Sequence, residues 1–184
     1  MNKNKKALIL IISGLILISI AIGLIIYNDY IDKRAGQKSE EIVEQIEAAL
    51  ESNEDNTILI EGNEYFGIIE IPVIDIKLPI MNDWNDEHLK ISPCIYYGSI
   101  ETNDLVICAH SYKSLFRYIK NLNQGDNVII TDMNGNKYIY EVEVIEILSP
   151  EDVKDMIESE FDLTLYTCTN DNQDRVTVRL NKIN

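Results

Sequence analysis

The first part of the chain contains an uncharged apolar run of about 21 residues, from Ala7 to Tyr27, rich in isoleucine and leucine. A run of this length can cross a bilayer as an α-helix, and this restricts what the segment can fold into. A secretory signal would have a shorter apolar core that ends at an Ala-x-Ala-like cleavage site. The nearest approach to such a site, Ser19–Ile20–Ala21, lies inside the run. The sequence therefore predicts an uncleaved signal anchor.

The charges on the two sides of this anchor predict its orientation. Segment 1–6 reads MNKNKK and carries three lysines directly before the run, whereas Lys33, Arg34 and Lys38 follow it. Asp29 and Asp32 dilute the second group only slightly, because acidic residues contribute little to the positive-inside rule. A short N-terminal tail with three lysines favours a cytoplasmic N-terminus. We therefore expect a single-pass membrane protein whose C-terminal part is extracellular.

The charge balance excludes one large class of function. The chain has 31 acidic and 16 basic residues, a net charge of −15 and a pI near 4.4. Binding to nucleic acid needs a basic face, so we expect no nucleic-acid partner. The acidity favours solubility, and the alternative is attraction to a cationic partner or substrate.

The three cysteines, Cys94, Cys108 and Cys168, are an odd number, so at least one is unpaired unless a bond forms between chains. Their spacing matches no Cys-x-x-Cys pattern, and the chain has only two histidines, which argues against a zinc site. The scattered acidic residues form no recognisable calcium loop. The simplest interpretation is one reactive cysteine and two small apolar ones, with no metal and no cofactor.

A helical pattern follows the anchor. Ile42, Ile46 and Leu50 recur every four residues within 39–52, which predicts a helix that packs on the following domain. A coiled-coil dimer is the alternative, but the pattern is too short to argue it. The polar stretch 51–56 predicts the domain boundary. We therefore divide the chain into a basic tail (1–6), an anchor (7–27), a juxtamembrane stalk with a helix (28–56) and a C-terminal domain (57–184).

The C-terminal domain reads as many short strands separated by Asn-, Gly- and Asp-rich turns. The strand-like runs are 65–71, 73–78, 105–109, 127–131, 137–145, 163–168 and 175–180. Asn134–Gly135 is a strong hairpin signal between two of them. Short helical pieces are predicted at 86–91, 112–121 and 150–158. This pattern is typical of a mostly β domain, either a sandwich or a closed barrel.

Three chemically capable residues lie at the ends of these strands. Cys168 ends the run 163–168, His110 follows the apolar run 105–109, and Arg175 opens the last strand. A cysteine nucleophile needs a base or cation to hold it as thiolate and a donor for the oxyanion that it creates. Histidine can move the proton, and arginine can donate several fixed hydrogen bonds. The three residues together therefore indicate an enzyme.

Each of these residues taken alone also has a structural interpretation. Cys168 could be a buried structural cysteine, His110 a capping or core histidine, and Arg175 an outward-facing surface arginine. Arg179 competes with Arg175, because period-two alternation places both on one face of the strand. The second histidine, His88, lies in a polar segment and is predicted to be a surface residue.

Several motifs occur together over about residues 65–180. They are Gly67–Ile68–Ile69–Glu70–Ile71–Pro72, Tyr97–Gly98–Ser99, Ala109–His110 with Leu115–Phe116 and Leu122 before Gly125–Asp126, Thr164–Leu165–Tyr166–Thr167–Cys168, and Arg175. In this order they resemble the sortases, the membrane-anchored cysteine transpeptidases of Gram-positive bacteria. The family carries a Gly-x-Ile-x-Ile-Pro segment, a Gly-Ser pair, a Gly-His pair, a Thr-Leu-x-Thr-Cys strand and an arginine that opens the next strand.

Two departures from the family pattern stand out. Ala109 replaces the usual glycine before the histidine, which keeps the small size but alters the backbone freedom there. The connection 149–162 before the cysteine strand is short. In sortases this connection helps to form the substrate groove, so the sorting motif does not follow from the resemblance.

The resemblance implies a closed eight-stranded sortase-type β-barrel that needs no cofactor. It implies Cys168, His110 and Arg175 as catalytic residues, with Thr167 and Ala109 as supporting residues. The substrates would be secreted proteins with a C-terminal signal resembling Leu-Pro-x-Thr-Gly. A peptidoglycan precursor or a pilin lysine would supply the accepting amine. Two alternatives stay open, namely an anchored cysteine protease that uses water, and a non-catalytic binding module.

Overall fold

The computed structural model describes residues 3–50 and 56–183. Helix α1 spans Lys3–Leu50. Its first part, up to Arg34, forms one compact unit, and the residues from Ala35 onward form a second. The apolar side chains between Leu8 and Tyr27 are largely exposed, and the helix is long and apolar enough to cross a membrane. The predicted domain boundary at 51–56 falls mostly on residues 51–55, which lie outside the described residues.

The second unit is built from β-strands. In the described part of the chain they are β1 (Ile58–Ile60), β2 (Asn63–Ile71), β3 (Ile76–Met81), β4 (Cys94–Tyr97), β5 (Leu105–Cys108), β6 (Asn127–Asp132), β7 (Lys137–Leu148), β8 (Leu163–Cys168) and β9 (Arg175–Lys182). They form one sheet in the order β1-β2-β3-β4-β5-β8-β9-β7-β6. Two neighbouring pairs are parallel, β3 with β4 and β5 with β8, and the other pairs are antiparallel.

Pairing between β2 and β6 closes eight of these strands into a barrel, with β1 as an additional short strand on β2. Gly67 is paired with Asp132 at this seam. A Cβ atom on Gly67 would overlap the backbone carbonyl oxygen of Thr131, so only glycine allows the two strands to approach this closely. The closed eight-stranded barrel expected from the resemblance is thus confirmed.

The barrel interior is filled by aliphatic side chains from alternate positions of its strands. On β8 the inward residues include Leu163 and Leu165, and on β9 they include Val176, Val178 and Leu180, all at most 5% exposed. Residues between them on the same strands point to the outer face, because successive side chains of a strand alternate. This alternation decides which residues can reach a ligand outside the barrel.

A second apolar cluster covers part of the outer face of the barrel. Ile42, Val43 and Ile46 of α1 pack there against residues that include Cys94 and Cys108. The Ser39 hydroxyl donates to the Ile91 carbonyl at 2.7 Å and anchors the same part of the helix. The described part of the predicted helix 39–52 thus packs on the barrel as expected, but it continues α1 instead of starting a separate helix.

The local predictions differ from the structure in a few places. The run Val73–Leu78 was expected to be one strand, and this was wrong. A 3₁₀ helix at Pro72–Ile74 ends at Asp75, which has a positive φ of 53°, and only then does β3 begin. The Asn134–Gly135 hairpin is confirmed between β6 and β7, with Gly135 in the left-handed region.

The predicted short helices are also present, each shorter than its pattern. They are 3₁₀ helices at His88–Lys90 and Phe116–Asn121, and α2 at Val153–Ile157. Helix α2 lies within the connection between β7 and β8. It therefore lies close in sequence to the strand that ends at Cys168.

Candidate active site

Three adjacent strand ends bring the sequence-predicted site residues together. Strands β5 and β8 run parallel with Cys108 opposite Tyr166, and the amide of Ala109 donates to the Tyr166 carbonyl at 3.3 Å. His110 therefore leaves β5 beside the end of β8. Strand β9 pairs antiparallel with β8, and Cys168 lies directly opposite Arg175.

The alternation of each strand places these side chains on the same outer face. Ala109 belongs to the interior cluster, and so do Leu165 and Val176, whereas the half-buried His110, Cys168 and Arg175 do not. All three instead line a groove of about 330 Å³, together with Ala109 and Thr167. The residues singled out from the sequence thus meet at one site, at which the thiol is accessible.

Thr167 ties the two central strands together. Its hydroxyl is buried and donates to the carbonyl oxygen of Ala109 at 2.8 Å. This bond joins the residue directly before Cys168 to the residue directly before His110. Thr167 is therefore placed to fix the separation of the two reactive side chains, which gives its proposed supporting role a physical basis.

His110 is surrounded so that its neutral form is favoured. Partial burial lowers the pKa of His110 below its usual value, and Lys90 lowers it further, while Asp86 acts in the opposite direction. The imidazole stacks on the ring of Tyr112, with ring centroids 5.2 Å apart and an interplanar angle of 28°. A neutral imidazole held in this way can accept a proton from a thiol.

The other two cysteines differ sharply from Cys168. Cys94 and Cys108 are at most 2% exposed, whereas Cys168 is half-buried. Cys108 and Cys168 both belong to the groove lining, and Cys94 does not. Burial raises the pKa of the Cys108 thiol to about 12, and it also raises the pKa of Cys94. A thiol that stays protonated is a poor nucleophile, so these two behave as the small apolar residues expected from the sequence.

The structure separates the two competing arginines. Arg175 is half-buried, lines the groove and donates from Nη1 to the backbone carbonyl of Asp174 at 3.2 Å. Arg179 is only 3% exposed and its guanidinium is engaged with neighbouring protein groups. Arg175 is thus the arginine that can reach a substrate.

His88, which was expected to be a surface residue, is half-buried rather than fully exposed, with Nδ1 3.1 Å from the Asp83 carbonyl oxygen.

The walls of the groove come from residues that the sequence did not single out. Trp84 packs against Tyr96 with ring centroids 5.3 Å apart, and Tyr96 meets Tyr166 edge to face at 5.4 Å. Another part of the lining comes from the connection that contains α2. Trp84 lies in a polar segment far from Cys168 in sequence, so no local pattern relates it to the nucleophile.

Replacing Thr167 by valine should disturb the site without changing its size. The variant leaves the buried Ala109 carbonyl without its donor, and we expect the free energy of unfolding to fall by about 1–3 kcal/mol. Chemical denaturation would measure this loss. Thr167→Ser keeps the hydroxyl and is the matched control. A loss of stability in Thr167→Ser but not in Thr167→Val would show that the methyl group, rather than the hydrogen bond, matters.

The fold and the sequence both match known proteins. A sequence model described as the Sortase domain matches residues 69–183. Sortase C1 from Streptococcus agalactiae is 26% identical with a TM-score of 0.61, covering 83% of this chain and 89% of that one. A Clostridium perfringens sortase C, solved with the C-terminal cell wall sorting motif, is 23% identical with a TM-score of 0.58, covering 86% and 96%.

A sortase from another class has a similar fold. Sortase A from Corynebacterium diphtheriae is 23% identical with a TM-score of 0.58, covering 85% of this chain and 84% of that one. No curated protein matches the chain. The match of the domain model extends over well over half of the sequence and includes the strands that carry the cysteine, the histidine and the arginine. The chain therefore belongs to the sortase family, whose members are cysteine transpeptidases that act in cell-wall sorting.

Proposed function

We propose that this protein is a transpeptidase that cleaves a C-terminal sorting signal resembling Leu-Pro-x-Thr-Gly and transfers the new carboxyl end to an amine. The observation that carries the proposal is the register pair of Cys168 and Arg175 beside His110, in a groove that can hold an extended peptide. Nucleophile, proton carrier and multidentate donor are the parts that acyl transfer needs.

The first half of the reaction would form a thioester. As the sulfur of Cys168 attacks the threonine carbonyl carbon, its proton passes to the neutral imidazole of His110. The tetrahedral oxyanion is held by the guanidinium of Arg175, which offers a fork of donors. When the carbon–nitrogen bond breaks, the imidazolium of His110 returns the proton to the leaving amine of glycine.

The second half would reverse these roles with a new amine. The incoming nitrogen attacks the thioester carbonyl and His110 accepts its proton. The carbon–sulfur bond then breaks to release the Cys168 thiolate, to which the imidazolium of His110 returns the proton. Water could resolve the same thioester, which would make the protein a cysteine protease. The residue chemistry is the same for both acceptors, so the preference for an amine rests on membership of the sortase family.

The partners and the location belong to the same proposal. The substrates would be secreted proteins with the sorting signal, and the amine would come from a peptidoglycan precursor or a pilin lysine. The chain would have a cytoplasmic tail (1–6), a membrane anchor (7–27), a stalk (28–56) and an extracellular catalytic barrel (57–184). The apolar part of α1 and the sorting motif bound by the C. perfringens sortase C support these assignments.

The function is tested by incubating the protein with a set of fluorogenic sorting-signal peptides, with and without triglycine. Mass spectrometry would follow the adduct on Cys168. A thioester on Cys168 that becomes an amide when triglycine is present supports the transpeptidase and identifies its motif. A thioester that only hydrolyses, even at high amine concentration, would support the protease. A non-catalytic binding module would form no adduct.

Removing the Arg175 side chain should destabilise the transition state far more than it destabilises the folded protein. We expect Arg175→Ala to lower kcat/KM by about 10²- to 10³-fold, which is the effect of losing one oxyanion donor. Steady-state kinetics on the best peptide would measure this effect. Arg175→Lys keeps the charge but loses the planar fork, so its kcat/KM should lie between the values of the wild-type protein and of Arg175→Ala. Unchanged kcat/KM in Arg175→Ala would remove this residue from the mechanism.

A further inference from the structure

Arg179 is a buried cation that the proposed chemistry does not use. It lies on β9 and is 3% exposed. Its Nε donates to the carboxylate of Glu146 on β7 at 2.8 Å. Its Nη1 donates to the hydroxyl of Thr164 on β8 at 2.9 Å. Burying a charge is costly unless the charge is paired and hydrogen-bonded, and here one guanidinium joins three adjacent strands.

The same guanidinium also holds the end of helix α2. Its Nη2 donates to the carbonyl of Asp155 at 2.6 Å, and Nη1 donates to the carbonyl of Met156 at 3.3 Å. The last carbonyls of a helix have no partner within the helix, and α2 has only five residues. Cationic side chains at a helix C-terminus stabilise such carbonyls. Arg179 therefore caps α2 from the barrel side.

The β7–β8 connection faces the groove through helix α2 and through the residues directly before it. Val153 and Met156 of α2 line the groove, as do Ser149, Pro150 and Asp152 before the helix. Val153 is exposed, whereas Met156 is buried, with 5% of its surface exposed. A five-residue helix has little stability of its own, so its position depends on tertiary contacts.

Arg179 connects α2 to strand β8, which ends at Cys168. Thr164 lies directly opposite Arg179 in the β8–β9 ladder, and both belong to the outer face that also carries Cys168 and Arg175. One side chain thus sets the position of the groove wall relative to the cysteine. Lysine could not replace it fully, because an ammonium lacks the planar fork that reaches these acceptors in different directions.

We propose that Arg179 is a positioning residue for the peptide substrate, because it holds α2 as a wall of the groove at a set distance from Cys168. This inference rests on the proposed function and extends it. Arg179 does not touch the reacting atoms. Its removal should therefore impair peptide binding, with little effect on the chemistry of the thiol.

The test compares Arg179→Met and Arg179→Lys with the wild-type protein by three measurements. The first is KM and kcat for the best sorting-signal peptide. We expect KM to rise about fivefold to tenfold in Arg179→Met, with kcat changed less than about twofold and Arg179→Lys intermediate. The second is alkylation of Cys168 by iodoacetamide, which is too small to need the wall, and its rate should stay within about twofold.

The third measurement does not need activity. The Met156 amide donates to the Asp152 carbonyl and the Glu158 amide donates to the Lys154 carbonyl, and these bonds hold the turns of α2. Hydrogen exchange of both amides should become at least about tenfold faster in Arg179→Met. The matched control is Lys182→Met, which removes a positive charge from the C-terminal end of β9, where Nζ lies 4.5 Å from the ring centroid of Tyr138. It should leave KM and the exchange of α2 unchanged.

Several outcomes would overturn the inference. Unchanged exchange in α2, or faster exchange without a rise in KM, would show that Arg179 does not position the wall for the peptide. A parallel fall of kcat and of the alkylation rate would show that it acts on the thiol instead. If Arg179→Met does not fold, Arg179→Lys decides by the same criteria. If the wild-type protein forms no thioester with any peptide, the proposed function fails, and the exchange measurement alone decides whether Arg179 holds α2.

Discussion

Cys168→Ala should abolish thioester formation and lower turnover by about 10⁴-fold or more, to the level that binding alone supports. The reason is that the accessible thiol of the groove belongs to Cys168, whereas the thiols of Cys94 and Cys108 are buried and have raised pKa values. Intact-mass spectrometry of the protein with peptide would show whether an adduct forms. The fold should persist, because the half-buried Cys168 leaves only a small void.

Cys94→Ala is the matched control for this variant. Cys94 lies in the outer apolar cluster beneath residues 35–50, away from the groove lining. Its replacement leaves a small buried void and should lower the free energy of unfolding by roughly 1 kcal/mol, with thioester formation retained. Turnover that survives in Cys168→Ala would disprove the mechanism. An adduct lost in a folded Cys94→Ala would mean that another cysteine is the nucleophile.

His110→Ala should be the second most damaging change, with kcat/KM lowered by about 10²- to 10⁴-fold. Without His110, the proton of the thiol and the proton needed by the leaving amine both lose the carrier that the proposed mechanism assigns to them. The shape-preserving His110→Gln should be nearly as inactive, because an amide does not move a proton in this pH range. Activity in His110→Gln above about a tenth of the wild-type value would show that the ring packs against Tyr112 without carrying the proton.

The acid limb of the pH profile gives an independent check of this role. Since burial and Lys90 lower the pKa of His110, the neutral base persists below the ordinary histidine range, and kcat/KM should fall only at lower pH. Lys90→Met should move this limb to higher pH, and Asp86→Asn should move it to lower pH. Two shifts in the same direction would contradict the assignment of the limb to His110.

The same lowered pKa has a consequence for stability. Protonation of His110 is less favourable in the folded chain than in the unfolded chain, so between the two pKa values the unfolded state binds more protons. The contribution of His110 to the free energy of unfolding is therefore complete above the unfolded pKa and is lost as the pH falls through this window. Replacing His110 by glutamine should remove that part of the pH dependence.

The sequence predicted those parts of the fold that depend on local pattern. Strands β8 and β9 alternate or are strongly aliphatic, and both were expected within two residues of their observed ends. The run Val73–Leu78 failed because Pro72 starts a 3₁₀ turn and Asp75 adopts a left-handed conformation, so the backbone changes direction inside an apolar run. A pattern of apolar residues carries no information about such a change.

The candidate site was only partly predictable. The residue types of Cys168 and His110 indicated their chemistry, but their proximity depends on the parallel pairing of β5 with β8, which no local pattern shows. The family resemblance supplied that link. Arg175 and Arg179 could not be separated by alternation, since both occupy one face, and only the burial of Arg179 among Glu146 and Thr164 distinguishes them.

The parallel pair of β5 and β8 also makes assembly of the candidate site depend on a long-range contact. These strands are separated by more than fifty residues of chain, so their pairing closes a long loop and is entropically demanding. The hairpin of β8 and β9 can form locally and brings Cys168 to Arg175, but it does not include His110. A chain in which β5 and β8 have not yet paired can thus bring Cys168 to Arg175, but His110 does not lie beside them. Assembly of the candidate site therefore requires the long-range pairing of β5 with β8 in addition to the local hairpin of β8 and β9.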